Sequence, residues 1–279
     1  MNAYLVSHLG LGDNLIMIGA LRFLLHFYEK IYFICKYKHY ENVQLFFIDV
    51  PNIICVPLSL NEHTEANDVH NILQANYENN DIFGCGFFRN SCFCKITNEK
   101  FLNCNIIDKK YTIEFDSLTN DNFFFIENFY KDINLNLTYF YEYFYLPQTK
   151  ESYELYSSVK NYYIIFIQLK CSDGRTINIS NLLQKYLYNK DTIIICIDVN
   201  LYDIPDKSTN ADIETKYNIC EKFIYQKMIY YIDLIKNSDE IYIIDSCFTG
   251  IVLPYAKTNQ LKTNIVKIIF RDYIDNIII

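Results

Sequence analysis

Short runs of β-branched and aromatic residues alternate along the chain with longer segments in which apolar residues recur every three or four positions. The short runs have the length and composition of buried strands, and the longer segments have the spacing of amphipathic helices. Alternation of this kind is typical of βα units, which build parallel sheets covered by helices. The pattern therefore predicts an α/β fold with doubly wound parallel sheets.

In the first half of the chain, apolar runs predict four strands, at Ala3 to Ser7, Ile31 to Cys35, Ile53 to Pro57 and Ile82 to Phe87. Helical spacing predicts helices at Asn14 to Glu29, Tyr40 to Phe47, Glu65 to Asn76 and Asp121 to Lys131. The segment Arg89 to Lys110 has no strong period, and Leu135 to Phe144 is dense in Tyr and Phe.

The polar, proline-containing segment Leu146 to Glu151 precedes a second series of the same kind. This series predicts strands at Tyr162 to Gln168, Thr192 to Ile197, Ile241 to Ile244 and Ile265 to Phe270, and helices at Glu151 to Ser158, Ile179 to Tyr188, Ile219 to Lys236 and Ile251 to Ala256. We predict two Rossmann-like domains, residues 1–146 and 151–279, facing a central cleft. Ligands of such sheets bind beyond the carboxyl ends of the strands.

Composition narrows the class of protein. Of 279 residues, 51% are hydrophobic and 21% are charged, a balance that excludes intrinsic disorder. The net charge of −8 argues against a general nucleic-acid binder, which needs a cationic surface. The apolar runs are shorter than the roughly 20 residues of a membrane span, and no basic leader precedes the first of them. We therefore expect a cytoplasmic protein whose ten cysteines are reduced.

The aromatic residues are unusual because Tyr (26) and Phe (21) are abundant while Trp is absent. Tyr, Phe, Ile, Asn and Lys share A/T-rich codons, which indicates a low-G+C genome, either of a microbe or of a large DNA virus. If the genome is viral, we expect the protein in the host cytoplasm. The alternative is an aromatic surface that stacks on sugars or faces a membrane. The run Tyr139 to Tyr145 is the stretch in which an acceptor surface of that kind is most plausible.

A glycine-containing turn, His8-Leu9-Gly10-Leu11-Gly12-Asp13-Asn14, joins the first predicted strand to the first predicted helix. Gly10 and Gly12 permit a tight turn and a close approach by a ligand. Leu15 replaces the third glycine of the dinucleotide fingerprint, and lysines rather than an acidic residue follow the second strand, so NAD or FAD is disfavoured. Asp13 is a candidate general base with His8 beside it, and the alternative is that Asp13 only caps the helix.

A second candidate turn, Gln168 to Thr176, follows the first strand of the second half. Lys170 and Arg175 bring two cations to a strand end and Ser172 adds a hydroxyl group, a combination that suits a diphosphate. The alternative is a solvated polar turn.

A third candidate turn, Asp245-Ser246-Cys247-Phe248-Thr249-Gly250, lies between a strand and an apolar helix. Acidic and hydroxyl groups at a helix start suit an anion or the hydroxyl groups of a sugar, with Thr249 as a further cleft candidate. The alternative is again a helix cap.

Metal and hydrolase chemistry find little support in the sequence. Cys85, Cys92, Cys94 and Cys104 lack the paired Cys-x2-Cys spacing of zinc sites, and the five histidines show no metal-binding spacing. There is no Gly-x-Ser-x-Gly elbow, Walker A loop or His-Glu-x-x-His motif. We therefore expect no metal and no cofactor.

The segments Ser7 to Leu24 and Ile235 to Pro254, and more weakly the turn Lys170 to Thr176, resemble glycosyltransferase family 9, which includes the bacterial lipopolysaccharide heptosyltransferases. The resemblance implies a GT-B fold, a nucleotide-sugar donor and catalysis without a metal. Carried onto this chain, it implies that Asp13 is the catalytic base. It implies donor contacts near Ser172 and Arg175, and at Asp245, Ser246 and Cys247. The charge of Lys170 makes it a further candidate for binding the donor phosphates.

Two positions depart from the family pattern, because Cys247 replaces a glycine and Gly250 replaces a histidine. Heptose specificity is therefore not implied. The resemblance predicts a metal-independent glycosyltransferase that moves a sugar from a nucleotide-diphosphate sugar to a hydroxyl group of a carbohydrate or glycoconjugate acceptor. The alternative is a GT-B-like protein that binds a nucleotide or a sugar without turnover.

Overall fold

A computed structural model describes residues 1–86, 124–203 and 210–269. The chain divides into two compact units, Met1–Pro147 and Gln148–Ile279, and the division lies inside the polar segment Leu146 to Glu151. Within the described residues, each unit contains a four-stranded sheet in which all strands run parallel.

The sheet of the first unit consists of β1 (Asn2–Val6), β2 (Lys30–Cys35), β3 (Ile53–Pro57) and β4 (Asn80–Gly84), in the order β3-β2-β1-β4. Its helices are α1 (Leu11–Ile16), α2 (Ile18–Leu24), α3 (Tyr40–Leu45), α4 (Glu65–Gln74), α5 (Phe124–Asp132) and α6 (Thr138–Glu142). The carboxyl ends of the two central strands coincide, since Val6 pairs with Ile34. The turns that follow β1 and β2 are therefore neighbours.

The sheet of the second unit consists of β5 (Tyr163–Gln168), β6 (Thr192–Cys196), β7 (Glu240–Ile244) and β8 (Val266–Ile269), in the order β6-β5-β7-β8. Its helices are α7 (Lys150–Ser157), α8 (Ser180–Tyr186), α9 (Ala211–Glu221), α10 (Ile232–Asn237) and α11 (Thr249–Lys257). Every residue of β6 and β7 is buried, as expected for parallel strands that helices cover on both faces.

The eight predicted strands are confirmed with small shifts at their ends, apart from the predicted ends Phe87 and Phe270, which lie outside the described residues. Two predicted helices are wrong. The helix predicted at Asn14 to Glu29 starts earlier, at Leu11, and is interrupted at Met17. The helix predicted at Ile219 to Lys236 is two helices, because Tyr225 adopts a left-handed backbone (φ 52°) that an α-helix does not tolerate.

Aromatic side chains fill much of both cores. Tyr130, Tyr202, Tyr231 and Tyr255 are buried, as are six phenylalanines among the largest fully buried side chains. In the run Tyr139 to Tyr145, Phe140 and Phe144 are buried, and Tyr139 stacks on Phe23 of α2 with 3.9 Å between ring centroids. Most of this run therefore packs α6 against α2.

Candidate functional site

A cavity of about 580 Å³ lies at the carboxyl ends of β1 and β2. Three segments line it: the glycine-containing turn after β1, the turn after β2 and the start of α4. The lining residues are His8, Leu9, Gly10, Asp13, Lys36, Lys38, His39, His63, Glu65 and Ala66. The structure thus brings three candidates from the first turn, His8, Gly10 and Asp13, around one cavity.

The backbone of the turn explains how Asp13 reaches the cavity. Gly10 precedes α1 and Asp13 is the third residue of that helix, so Gly12 lies in the first helical turn. The Gly10 N–H group donates a hydrogen bond of 3.1 Å to Asp13 Oδ2. A Cβ atom on Gly10 would lie only 2.6 Å from that oxygen, so a larger residue at this position would displace the Asp13 carboxylate. Asp13 therefore caps α1 and also lines the cavity.

The electrostatic surroundings of Asp13 suit a base. Burial raises the pKa of the Asp13 carboxyl to about 6, and the hydrogen bond from Gly10 opposes that effect. A desolvated carboxylate holds a proton more tightly than one in water. At pH 7 Asp13 is still mainly ionised, yet it accepts a proton more readily than an ordinary aspartate, which is the balance that a general base needs.

His8 lies against aromatic rings on α5. Its ring centroid is 5.2 Å from that of Phe129 and 5.7 Å from that of Phe125. Burial lowers the pKa of His8, with the nearby Asp132 opposing the shift. Gly86 has a positive φ of 60° and packs on this ring, where a Cβ atom would lie 2.7 Å from His8 Cδ2. His8 is therefore a neutral imidazole at pH 7 and forms a wall of the cavity.

Sequence reasoning missed the basic side of this cavity. Lys36, Lys38 and His39 follow β2, and the Lys36 ammonium forms an ion pair of 2.9 Å with Glu65. In the sequence, the two lysines served only as evidence against a dinucleotide-binding site. The first two strands of a βα series are commonly neighbours in a parallel sheet. The position of the lysines after the second strand therefore indicated that they lie near the turn after the first strand.

In the second unit, a polar cluster connects the ends of three strands. The Ser246 hydroxyl donates to Gln168 Oε1 at 2.7 Å, which links the turn after β7 to the end of β5. The Asp198 carboxylate, beyond β6, accepts from the N–H groups of Leu169 (2.5 Å) and Lys170 (3.0 Å). Gln168 and Asp198 had no assigned role in the sequence, although Asp198 follows its strand much as Asp245 follows β7.

The third candidate turn is partly structural. Thr249 is buried, and its hydroxyl accepts from the Ser246 N–H group at 3.2 Å, so it shapes the turn that precedes α11. Burial raises the pKa of the Cys247 thiol to about 11, which keeps it protonated at pH 7. Asp245, Ser246 and Cys247 are each half-buried at the carboxyl edge of the sheet.

The second candidate turn folds as a hairpin. Lys170 pairs with Thr176 in a short antiparallel bridge, and Ser172 and Arg175 are exposed near the tip. The Arg175 guanidinium holds Asp173 Oδ2 through Nη2 at 2.7 Å and Nε at 3.0 Å. These hydrogen bonds keep the pKa of Asp173 below its usual range. A diphosphate that binds Arg175 must therefore compete with Asp173.

This competition can be tested by Asp173→Asn, which removes the carboxylate charge that holds Arg175. We expect the dissociation constants of ADP, UDP or GDP, whichever binds, to fall about 2- to 5-fold, because an exposed carboxylate is only a weak competitor for the guanidinium. Titration calorimetry measures the change. Glu214→Gln, an exposed carboxylate on α9, alters the net charge equally and should leave binding unchanged. Weaker binding by Asp173→Asn would contradict a phosphate contact at Arg175.

Comparisons with known proteins bear on the fold. No family model matches the sequence, and no curated protein matches it. The solved structure of E. coli ADP-heptose LPS heptosyltransferase II matches with a TM-score of 0.56 at 9% identity, covering 100% of this chain and 95% of that one. The glycosyltransferase family 9 protein from Veillonella parvula DSM 2008 matches with a TM-score of 0.57 at 10% identity, covering 96% and 86%. The chain has the GT-B-type fold of these enzymes.

The GT-B-type fold predicted from the sequence is thus confirmed. Within residues 1–86, 124–203 and 210–269, no three His, Cys, Asp or Glu side chains are grouped in a way that could hold a metal ion. Of the four clustered cysteines, Cys85 is buried, whereas Cys92, Cys94 and Cys104 lie outside the described residues. The same part of the chain contains no helix long and apolar enough to span a membrane.

Proposed function

We propose that this protein is a glycosyltransferase that moves a sugar from a nucleotide-diphosphate sugar to a hydroxyl group of a carbohydrate or glycoconjugate. The likeness of its fold to solved glycosyltransferases supports this proposal. The observation that carries it is Asp13, a carboxylate of raised pKa that lines a cavity at the carboxyl edge of a parallel sheet.

In the proposed reaction, the acceptor hydroxyl lies in the cavity of the first unit and gives its proton to Asp13. The acceptor oxygen attacks the anomeric carbon, and a new C–O bond forms there. The bond between that carbon and the diphosphate oxygen breaks, and its electron pair leaves with the nucleoside diphosphate. Asp13 serves this step because it is ionised at pH 7 and still has an appreciable proton affinity.

The polar strand ends of the second unit are the proposed donor site. Departure of the diphosphate increases negative charge, which the Lys170 ammonium and Arg175 guanidinium would stabilise. The Ser246 hydroxyl, held against Gln168, lies at the same edge of the sheet. With two cations to balance the diphosphate, the proposed reaction uses no metal and no cofactor, as the resemblance implies.

A panel of nucleotide sugars tests the proposal. We expect a UDP-, GDP- or ADP-sugar to raise the melting temperature, because a ligand at 100 times its dissociation constant stabilises a protein by about 2.7 kcal/mol. A CMP-sugar, which has a single phosphate, is the matched control and should have a much smaller effect. The stabilising sugar should then be hydrolysed or transferred when it is incubated with acceptor mixtures.

Two outcomes would contradict the proposal in different ways. Stabilisation by none of the sugars would argue against a nucleotide-sugar site altogether. Stabilisation without any hydrolysis or transfer would favour the alternative, a GT-B-like protein that binds its ligand without turnover.

A further inference from the structure

The hydroxyl group of Tyr130, on α5, lies between backbone groups of Ile16 and Ala20, at the junction of α1 and α2. It donates a hydrogen bond of 2.9 Å to the Ile16 carbonyl oxygen and accepts one of 3.0 Å from the Ala20 N–H group. Residues 16 and 20 would bond directly to each other in a continuous α-helix. The phenol therefore occupies the place of one backbone hydrogen bond.

This insertion coincides with the interruption of the helix. Helix α1 ends at Ile16, Met17 has φ −81° and ψ −5°, and α2 begins at Ile18. Sharp bends in helices are commonly found where a side chain enters the backbone hydrogen-bond ladder. The segment that carries Asp13 is thus a separate short helix, and its junction with α2 is formed around the Tyr130 hydroxyl.

The surroundings leave the phenol little freedom. Tyr130 is fully buried, and both of its hydrogen bonds go to backbone groups. The absence of a side chain at Gly19 makes the arrangement possible, because a Cβ atom there would lie 2.9 Å from Tyr130 Oη. The same Cβ atom would lie 2.4 Å from the Tyr139 carbonyl oxygen, so α6 closes the site from another side.

Helix α5 also contacts the other parts of the turn region. Phe129 packs on the His8 ring, and the buried Asp132 carboxylate accepts from the Gly86 N–H group at 2.7 Å. Neighbouring residues of a single helix thus contact the cavity wall at His8, the backbone after β4, and the junction between α1 and α2. None of these α5 residues is among those that line the cavity.

We propose that Tyr130 is a positioning residue for Asp13: its hydroxyl keeps α1 separate from α2 and so sets where the Asp13 carboxylate stands in the cavity. This inference rests on the proposed function of Asp13 as the base. Without the hydroxyl, Ile16 and Ala20 are able to bond to each other, which would rejoin the two helices. The rearrangement would begin within one helical turn of Asp13, and a misplacement of about 1 Å can cost about 100-fold in rate.

The test is Tyr130→Phe, which keeps the buried ring and removes only the hydroxyl. We expect kcat for glycosyl transfer to fall about 10- to 100-fold, with KM for the donor within about twofold of the wild-type value. We also expect the acid limb of the pH–kcat profile to move, since a displaced carboxylate has different solvation. If the Tyr130 hydroxyl only stabilised the fold, Tyr130→Phe would change neither the acid limb of the pH–kcat profile nor kcat per folded molecule.

The matched control is Tyr231→Phe in the second unit. The Tyr231 hydroxyl likewise donates to a backbone carbonyl, that of Phe223, and accepts from a backbone N–H group, that of Gln226 at 2.8 Å. We expect it to lower the melting temperature to a similar degree and to leave kcat and the pH profile unchanged. Rates are measured at 10 °C and divided by the folded fraction from circular dichroism, so that a destabilised variant still gives a decisive result.

The outcomes separate this inference from the proposed function. If Asp13→Asn abolishes transfer while Tyr130→Phe has wild-type kcat and an unmoved acid limb, the positioning role is wrong and Asp13 remains the base. If Asp13→Asn retains full activity, the proposed function is wrong at that residue, whatever Tyr130→Phe does. An equal loss of kcat in Tyr231→Phe would also overturn the inference, because the effect would then be a general one of lost buried hydroxyls.

Discussion

Replacement of Asp13 by asparagine is expected to reduce kcat for glycosyl transfer by about 10²- to 10⁴-fold, the usual contribution of a general base. Asn is nearly isosteric with Asp, and its carbonyl oxygen can accept the hydrogen bond from Gly10, so the cap of α1 should persist. The amide has no proton affinity near pH 7. Steady-state kinetics of Asp13→Asn measures kcat, and titration calorimetry should show that its affinity for the nucleotide sugar is unchanged.

The same variant should be more stable than the wild type above pH 6. Burial raises the folded-state pKa of Asp13 to about 6, above the value of about 4 for an aspartate in water, so the folded state binds the proton more tightly. As pH rises from about 4 to about 6 the wild type loses that stabilisation, and the difference between these two pKa values corresponds to about 3 kcal/mol of folding free energy. Asn carries no charge at any pH and avoids the loss. Thermal melts at pH 5 and pH 8 measure the effect, and a less stable Asp13→Asn at pH 8 would indicate a structural role.

The wild-type pH profile gives an independent check on the base. Because only the ionised carboxylate accepts a proton, kcat/KM, which reports the free enzyme, should rise with pH and level off above a midpoint near 6. An ordinary solvated aspartate would give a midpoint near 4. His8 is a second titratable group that lines the cavity, so His8→Gln is the control and should leave the midpoint in place. Disappearance of the limb in His8→Gln would assign it to the histidine.

Gly19→Ala is expected to give the largest loss of stability among the variants considered. The added Cβ atom would lie 2.4 Å from the Tyr139 carbonyl oxygen and 2.9 Å from Phe140 Cα, and both are backbone atoms that cannot move separately from α6. Alanine favours a helix over glycine by about 1 kcal/mol. Overpacking of a rigid site costs about 3 kcal/mol, so the clash should dominate. We expect the net cost of about 2 kcal/mol to lower the melting temperature by about 4 to 8 °C.

Gly174→Ala is the contrasting variant for that measurement. Nothing lies within 4 Å of the position where its Cβ atom would stand, but its φ of 87° is unfavourable for any other residue. We expect a cost of about 1 kcal/mol from the backbone alone. If Gly19→Ala were no more destabilising than Gly174→Ala, the close approach of α6 to α2 would be wrong.

The alternation of short apolar strands and helical segments was enough to predict both parallel sheets, and the family resemblance of the polar turns implied the GT-B-type fold. Strands such as Thr192–Cys196 are buried on both faces, so their residues must be continuously apolar and are easy to recognise. The break at Met17 was not predictable, because Leu15, Ile18 and Leu21 keep a helical period across it. Its cause, the hydroxyl of Tyr130, lies 114 residues from Ile16 along the chain.

The candidate site likewise has features that were predictable from the sequence and features that were not. The turns at strand ends were visible because polar and glycine residues follow apolar runs at Asp13, Lys170 and Asp245. The sequence did not show that Arg175 pairs with Asp173 or that Thr249 is buried, because both depend on the folded conformation of each turn. In the sequence, Lys36 and Lys38 were noted only because they stand where a dinucleotide-binding site has an acidic residue. The parallel register of β1 and β2 places them at the cavity.

By itself, the sequence determined the order of the strands, most of the helices and the turns that carry polar groups, because the alternation of apolar and polar residues is a local property. The tertiary structure decided what surrounds each of those groups. Burial raises the pKa of Asp13 to about 6, and packing of α5 and α6 against α2 places the Tyr130 hydroxyl in the helix behind it. Desolvation and close packing depend on atoms that are distant in the chain, so they are set only when the chain has folded.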